Sequence, residues 1–432
     1  MTRRSKPASA SSSDLRRVAA LALAAGALLF GGSARAREAA VEGVPRYAHV
    51  FVILEENKDY AQVMDPALAP NITGLAARYG DAAAFYAEVH PSEANYVALL
   101  GGDTFGIHDD DAWYCVAGST RPLCDHVGEP GYVDHTVRAP HLGDQLLAAG
   151  LSWKGYYENL PEPGSTAVTA SDPAFDNGTR KTALYASKHS GFMNFADVQS
   201  DPQRARRLVG FDQLKRDLAS GDLPNFAVIV PNQCNEMHGL KGEGVPADCD
   251  SANKAGLIRR GDKVVGELVA DIQASAAWKG RGDAAIVITF DESGDKGREG
   301  CCGVTPDAPS NFGGGHIPTV VITNHGPRGV RDQTPYNHYS LLRTIEDAFG
   351  VTEHLGHAGE TAKGVRPMVA LFGPDGGEAG GGARACVRSC RDRPGGQGPS
   401  GAPRRPRPHR GRREQPWAAR PCRLRPHARG AR

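Results

Sequence analysis

HVFVILEEN, His49 to Asn57, is a short unbroken apolar run that stops abruptly at two carboxylates and an amide. A run of this length without polar alternation predicts a strand covered on both faces, as strands of parallel sheets are. The same pattern returns twice. NFAVIV, 225–230, leads into Asn232, Asn235, Glu236 and His238, and AAIVITF, 284–290, leads into Asp291 and Glu292. HIPTVVIT, 316–323, is a fourth apolar run. Helical patterns fall near 72–79, after Ser92, over HLGDQLLAAG (141–150), over AGLIRRGDKVVGELVADIQASAAW (255–278) and over NHYSLLRTIEDAFG (337–350). Short apolar strands alternating with helices predict an α/β fold with a mostly parallel sheet. No internal repeat is present. The stretches 103–136 and 161–200 lack a clear period and predict loops or small insertions that shape a site.

In a parallel sheet the carboxyl ends of the strands share one edge, where ligands bind. The three polar strand ends therefore predict one convergent group, although they lie far apart in the chain. Gathered carboxylates repel and raise one another's pKa. A divalent metal cation held by hard oxygen ligands, with a histidine or two, relieves that repulsion. Any one of these ends alone reads as a solvated turn; three in one chain favour a site.

HPSEANYVALLGG, His90 to Gly102, places Ser92 just before a helical run. Serine is a favoured N-cap, so a purely structural reading competes with a catalytic one. A hydroxyl at the positive end of a helix on the ligand edge suits phosphate, and a nearby cation would activate it as a nucleophile. Asn95, one turn along, is a candidate donor to a phosphoryl oxygen.

The two ends of the chain differ from the body. Residues 1–36 combine a basic, Ser-rich start, an apolar run of about a dozen residues and a small-x-small ending, as a signal peptide does. That run is too short for a membrane span, which takes about 20 residues, so the expected product is secreted or periplasmic. Residues 374–432 are rich in Gly, Pro and Arg, with fifteen arginines against four carboxylates. They predict a disordered, solvated tail, whose excess positive charge would suit an anionic surface or nucleic acid if it binds anything. The formal net charge of +1 thus hides an acidic body and excludes no substrate class. The body, 41–373, is long enough for one large domain. It holds six of the nine cysteines: Cys115, Cys124, Cys234, Cys249, Cys301 and Cys302. In an exported chain these favour disulfides over zinc, and neighbouring pairs are the simplest of the 15 connectivities.

Seven segments together resemble the bacterial phosphoesterase family of secreted acid phosphatases and phospholipases C, within the alkaline phosphatase superfamily. They are HVFVILEENKDY, HPSEANYVALLGGDTFG, YASKHSGF, PNFAVIVPNQCNEMHG, VITFDESG, GGGHIPTVVIT and PYNHYSLLRTIEDAFG, in family order. The resemblance implies an alkaline-phosphatase-like three-layer sandwich with a mostly parallel central sheet and loop insertions. It implies metal ligation by Glu56, Asn57, Asp291 and Glu292, with Asn57 also binding phosphate, and Ser92 as nucleophile. Asn95, Lys188 and His189 become substrate-binding candidates, and His238 and His338 candidates for protonating the leaving group or ligating metal. The implied activity is hydrolysis of phosphomonoesters through a phosphoserine, of the acid phosphatase type and extending to phosphoinositides. A phospholipase C-type phosphodiesterase and a non-catalytic exported cation-binding protein are the alternatives. The implied partner is a phosphate-ester substrate, with no specific nucleic acid or protein. The chain departs from the family pattern at Glu236, where Asp is usual, at Gly239, where a second Asp is common, and at Gly191, where Pro is usual.

Overall fold

Every residue of HVFVILE after His49 is buried, because this strand is central in an eight-stranded sheet. The structure, a computed structural model, describes residues 39–170, 183–280, 282–294, 297–303 and 312–374. The signal peptide expected over 1–36 lies outside the described residues, as does the expected tail beyond Pro374.

In chain order the strands are β1 (His49–Glu55), β2 (Gly80–Ala82), β3 (Phe85–Tyr86), β4 (Trp153–Tyr157), β5 (Thr169–Ala170), β6 (Tyr185–Ala186), β7 (Leu208–Val209), β8 (Phe226–Val230), β9 (Ala284–Phe290), β10 (Thr319–Thr323), β11 (Val330–Asp332) and β12 (Tyr336–Asn337). The main sheet has the order β11-β2-β10-β9-β1-β8-β4-β7. Only β10 runs against its neighbours, pairing antiparallel with both β9 and β2. The predicted mostly parallel α/β sheet is therefore present, with β9, β1 and β8 side by side at its centre. Those three strands read as continuous apolar runs because helices cover both faces.

One helical layer contains α1 (Pro70–Arg78), and the other contains α2 (Glu93–Gly101) and α3 (Leu142–Ala148). The first layer is completed by α4 (Lys254–Ala274), the second by α5 (His338–Phe349). Helix α4 buries Leu257, Ile258, Gly261, Val265, Leu268, Val269 and Ile272, the one-sided spacing its sequence shows. It ends before the predicted Trp278 because Ser275 is extended and its side chain accepts from the Trp278 N–H, capping a separate turn. Helix α5 is buried on all sides between α2, α3 and the loop after it.

Between α2 and α3 the chain forms neither helix nor strand, as the missing period of 103–136 predicts. Disulfides join Cys115 to Cys124, Cys234 to Cys249 and Cys301 to Cys302. The first ties down this loop and the second the loop between β8 and α4. Among the described residues no helix is long and apolar enough to cross a membrane.

Candidate active site

Because β9, β1 and β8 are neighbours, the polar residues after them are stitched together by backbone bonds. The Glu56 N–H donates to the Glu236 carbonyl (2.8 Å), and the Asp291 N–H donates to the Glu55 carbonyl (3.0 Å). Asn57 turns the chain away from β1 in a left-handed conformation (φ 56°) that asparagine tolerates better than most residues. That turn aims its N–H at Asp291 Oδ1, 2.9 Å away. The convergence expected from the sequence is thus built into the sheet register.

Ser92 enters from the second helical layer. As an N-cap it would be extended, with its hydroxyl turned back onto the helix. Instead its backbone is already helical (φ −47°, ψ −52°) and its side chain makes no capping bond. The hydroxyl is released toward the strand ends: Oγ lies 3.3 Å from Glu56 Oε2, 3.3 Å from Glu292 Oε1 and 3.4 Å from Asn57 Nδ2. The far end of α2 is fixed by Gly102 (φ 75°), where a Cβ would meet the Leu355 carbonyl oxygen at 2.3 Å. A second close approach is at Gly191, whose φ of 66° proline cannot adopt and whose Cβ would press on the Tyr96 carbonyl oxygen at 2.8 Å. The departure from the family pattern there is accommodated by a backbone that requires glycine.

Four carboxylates crowd this point. Burial, then the charges of Glu56 and Glu292, push Asp291 well above the usual carboxylate range. Glu292 is also raised by burial, against the pull of His90. Burial raises Glu236 to about 7. Burial acts on Glu56 in the same sense, but His189 overrides it and holds this carboxylate below its ordinary value. His189 stands between two acceptors, Nε2 3.0 Å from Glu56 Oε1 and Nδ1 2.7 Å from Glu236 Oε1. Burial would lower its pKa, yet the two carboxylates raise it to about 10 and keep it an imidazolium. His90 is held similarly, with Nδ1 on Glu292 Oε2 and Nε2 donating to the Gly297 carbonyl (2.9 Å).

The donor set fits a divalent cation. Asp291 Oδ2 is fully buried and has no hydrogen-bond partner. Its carboxylate adjoins Glu56 and Glu292, whose oxygens both face Ser92. Glu56, His189 and His238 also bring one ligand atom each within 4.8 Å. In that set, however, His189 faces two carboxylates and is held as an imidazolium, which cannot ligate a cation, so the hard-oxygen set is the better match.

The other residues singled out from sequence divide sharply. His238 joins the group: its ring centroid is 5.3 Å from that of His189, and Nδ1 donates to the Gly239 carbonyl at 2.8 Å. Burial, with the Lys188 charge, pushes its pKa down to about 4, so the ring is neutral at neutral pH. Lys188 also approaches, with Nζ 2.8 Å from Asp110 Oδ2. Asn95 does not reach the centre. Its Oδ1 accepts from the N–H groups of Glu88 (3.1 Å) and Val89 (3.2 Å), and Nδ2 donates to the Val89 carbonyl (3.0 Å). His338 is likewise occupied: Nδ1 is bound to Glu88 Oε2, and Nε2 donates to the carbonyl of Phe290 (2.9 Å), the residue before Asp291. Both side chains brace the segments that carry Ser92 and Asp291.

Tyr96 was not expected. Its hydroxyl donates to Glu56 Oε1 (3.0 Å) and its ring stacks on His189 at 5.5 Å. The available signal was its spacing, one helical turn after Ser92 and hence on the same face of α2.

Comparison with known proteins came out consistently. Residues 65–352 match the pattern of the Phosphoesterase family. A phosphatidylinositol-3-phosphatase of Mycobacterium tuberculosis is 28% identical over 312 residues, covering 72% of this chain and 80% of that protein. An acid phosphatase of Aspergillus fumigatus is 27% identical, over 72% of this chain but only 56% of its own length. A crystal structure from Vibrio parahaemolyticus, described as a protein in the alkaline phosphatase superfamily, overlays with a TM-score of 0.44 at 14% identity, covering 73% of this chain and 69% of that one. That last likeness is too loose to build on.

Proposed function

The chain belongs to the Phosphoesterase family and is a phosphoric ester hydrolase; from that premise we propose that it hydrolyses phosphomonoesters by attack of Ser92 on phosphorus. The observation that carries this reading is the Ser92 hydroxyl, released from capping and held 3.3–3.4 Å from Glu56, Glu292 and Asn57. Glu56, Asn57, Asp291 and Glu292 would hold a divalent cation. When bound, such a cation favours the alkoxide and offsets charge on the phosphoryl oxygens.

The chain's own groups do the rest. Ser92 Oγ forms the new bond to phosphorus as the bond to the alcohol oxygen breaks. Asn57 Nδ2 and the Lys188 ammonium are placed to orient the phosphoryl oxygens. His238, with Nδ1–H engaged by Gly239, offers Nε2 for proton traffic. Neutral at rest, it takes up the proton that Ser92 gives up and hands it to the departing alcohol, then takes one from the water that releases phosphate and returns it to Ser92 Oγ. Asn95 and His338 act as positioning residues. The family resemblance and the name of the mycobacterial relative extend the candidate substrates to phosphoinositides, and the three disulfides fit an exported protein.

The test is a substrate panel on the wild type and Ser92→Ala, with metal content measured on both. An aryl phosphomonoester should be turned over faster than the corresponding diester, and the variant should lose that activity while keeping fold and metal. Undiminished activity in Ser92→Ala would remove the serine from the reaction. Preference for the diester would transfer the chain to the phospholipase C reading, and absence of all turnover would leave a cation-binding protein.

A further inference from the structure

Lys188 and His238 line a cleft of about 240 Å³ whose walls come from the two stretches that the sequence leaves without a period. Asp110 and Asp111 belong to the loop tied down by the Cys115–Cys124 disulfide. Thr169 stands on β5, and Ser187 opens the turn after β6. Asp110 joins the cleft to the nucleophile. Its Oδ1 accepts from the N–H of Glu93, the residue after Ser92 (3.3 Å), and its Oδ2 holds the Lys188 ammonium (2.8 Å). His238 and Gln233 also border a wider cleft of about 630 Å³. Of the two, the smaller contains Lys188 and carries the bond to Glu93.

The charged groups of this lining are already spent. Lys188 is held by Asp110, and Asp111 Oδ1 takes the Asp125 N–H (2.9 Å) and His126 Nδ1 (2.8 Å). Its neutral polar groups are not spent. Among the described residues the Thr169 and Ser187 hydroxyls and Gln233 Oε1 have no hydrogen-bond partner. Ser187 is nevertheless only 2% exposed and Gln233 7%. Gln233 Nε2 donates to the Ala183 carbonyl (2.6 Å), which fixes the amide and leaves its oxygen over. Buried polar groups without a partner are costly, and a ligand that pairs them recovers the loss. Ala112 and Val168 add apolar surface beside them. The volume falls just under the range of about 300–1,000 Å³ that takes a drug-sized molecule, which leaves room for one ring.

We propose that this cleft receives the alcohol portion of the substrate and recognises it by its hydroxyl groups, through Thr169, Ser187 and Gln233. The inference rests on the phosphomonoester reading: with the reacting phosphate between Ser92 and Lys188, the alcohol that takes a proton from His238 lies in the cleft that both residues line. Recognition there runs through neutral hydrogen bonds, because the charges of the lining are paired. A site built of such groups rejects an analogue that lacks the matching hydroxyls. The preferred class is therefore phosphomonoesters of a hydroxylated six-membered ring, a sugar or a cyclic polyol, free or as a lipid headgroup.

The experiment measures kcat/KM on two esters, for the wild type and for Thr169→Val/Ser187→Ala. One is a hexose phosphorylated on its exocyclic hydroxymethyl group; the other is cyclohexylmethyl phosphate, which keeps the ring and the ester but lacks the hydroxyls. The wild type should prefer the hexose ester by about tenfold or more. The double variant should bring the ratio to within about twofold of one, while inhibition by inorganic phosphate, which needs the Ser92 end alone, keeps its constant. Thr169→Ser should retain the preference. Should the double variant fail to fold, Thr169→Val, at a half-buried position, carries the same comparison and should lower the ratio about threefold or more. A wild-type ratio near one with clear turnover of both esters, or a ratio that the hydroxyl-free variants leave intact, overturns this inference alone. Absence of turnover on every monoester overturns the monoester reading as well. A last arm separates the sources with a phosphatidylinositol monophosphate in vesicles. A loss in the double variant that matches the loss on the hexose ester supports the lipid headgroup; a loss confined to the hexose ester supports a free sugar phosphate.

Discussion

Around His141, Asp144 and Asp197 a ring of acid and imidazole is closed by Arg204, whose Nη1 lies 2.5 Å from Asp144 Oδ1 and 2.7 Å from Asp197 Oδ2. Around Glu56, Asp291 and Glu292 no guanidinium does that work among the described residues, and Asp291 Oδ2 is left buried without a partner. His141, Asp144 and Asp197 bring three potential ligand atoms within 4.8 Å of one another; at the strand ends Glu56 does so with His189 and His238. What separates them is how the charge is completed. The first cluster carries all its counter-charge on the chain, whereas at the strand ends His189 and His90 serve Glu56, Glu236 and Glu292 and leave Asp291 without a counter-charge. Residue type alone does not reveal the difference; the partners of each carboxylate do.

The largest effect should come from the strand-end group. Ser92→Ala should lower kcat on an aryl phosphomonoester on the order of 10³-fold or more. Its far-ultraviolet circular dichroism and thermal midpoint should stay as in the wild type, because the hydroxyl makes no capping bond that the helix would miss. If the helix melted instead, the serine would belong with the structural clusters.

Asp291→Asn should come next, with a loss of roughly 100-fold in kcat/KM. Stability should be unchanged or raised, since the substitution removes a carboxylate that its neighbours repel. Chelation should produce the same loss in the wild type and be reversed by a divalent cation. A strongly destabilised Asp291→Asn with normal activity would erase the contrast between the two clusters.

Much of this was legible in the sequence, and the reason is the parallel sheet. β1, β8 and β9 are buried on both faces, so they read as unbroken apolar runs, and parallel strands must deliver their C-terminal residues to one edge. β4 escaped notice because Gly155 interrupts it, and β2, β7 and β11 are two or three residues long, too short to show a period. Antiparallel β10 was legible as a strand but not in direction. Side-chain roles were harder. His338 stands at a helix start beside apolar residues, and its commitment to Glu88, 250 positions away, is a property of the packed structure alone. The release of Ser92 depends on one pair of backbone angles, which no residue pattern encodes.

His135 offers an intermediate case. It is fully buried, with Nδ1 3.1 Å from Glu93 Oε1 and Nε2 2.9 Å from Asp109 Oδ1. Burial alone would lower its pKa from 6.5, but Asp109 and Glu93 raise it to about 10. The folded state therefore holds this proton more tightly than the unfolded chain does. The stabilisation is complete below about pH 6.5 and drains away as pH rises toward about 10. Denaturation midpoints measured across that window should fall with pH, and His135→Gln should flatten the slope. A wild-type profile that is flat or rises would mean that this proton does not bind the loop to α2.

The smallest effect, and the sharpest use of the comparison, concerns Arg204. Arg204→Ala should cost no more than about 1 kcal/mol, because the pairs it makes with Asp144 and Asp197 are only partly buried. Activity should stay within about twofold of the wild type. The variant also turns the closed cluster into an open one: His141, Asp144 and Asp197 then face one another without their guanidinium. If supplied counter-charge is what distinguishes the two regions, Arg204→Ala/Asp291→Asn should show a thermal shift with added divalent cation larger than that of Asp291→Asn alone. Identical shifts in the two proteins would mean that Arg204 was not standing in for a cation, and that geometry rather than charge closure divides the clusters.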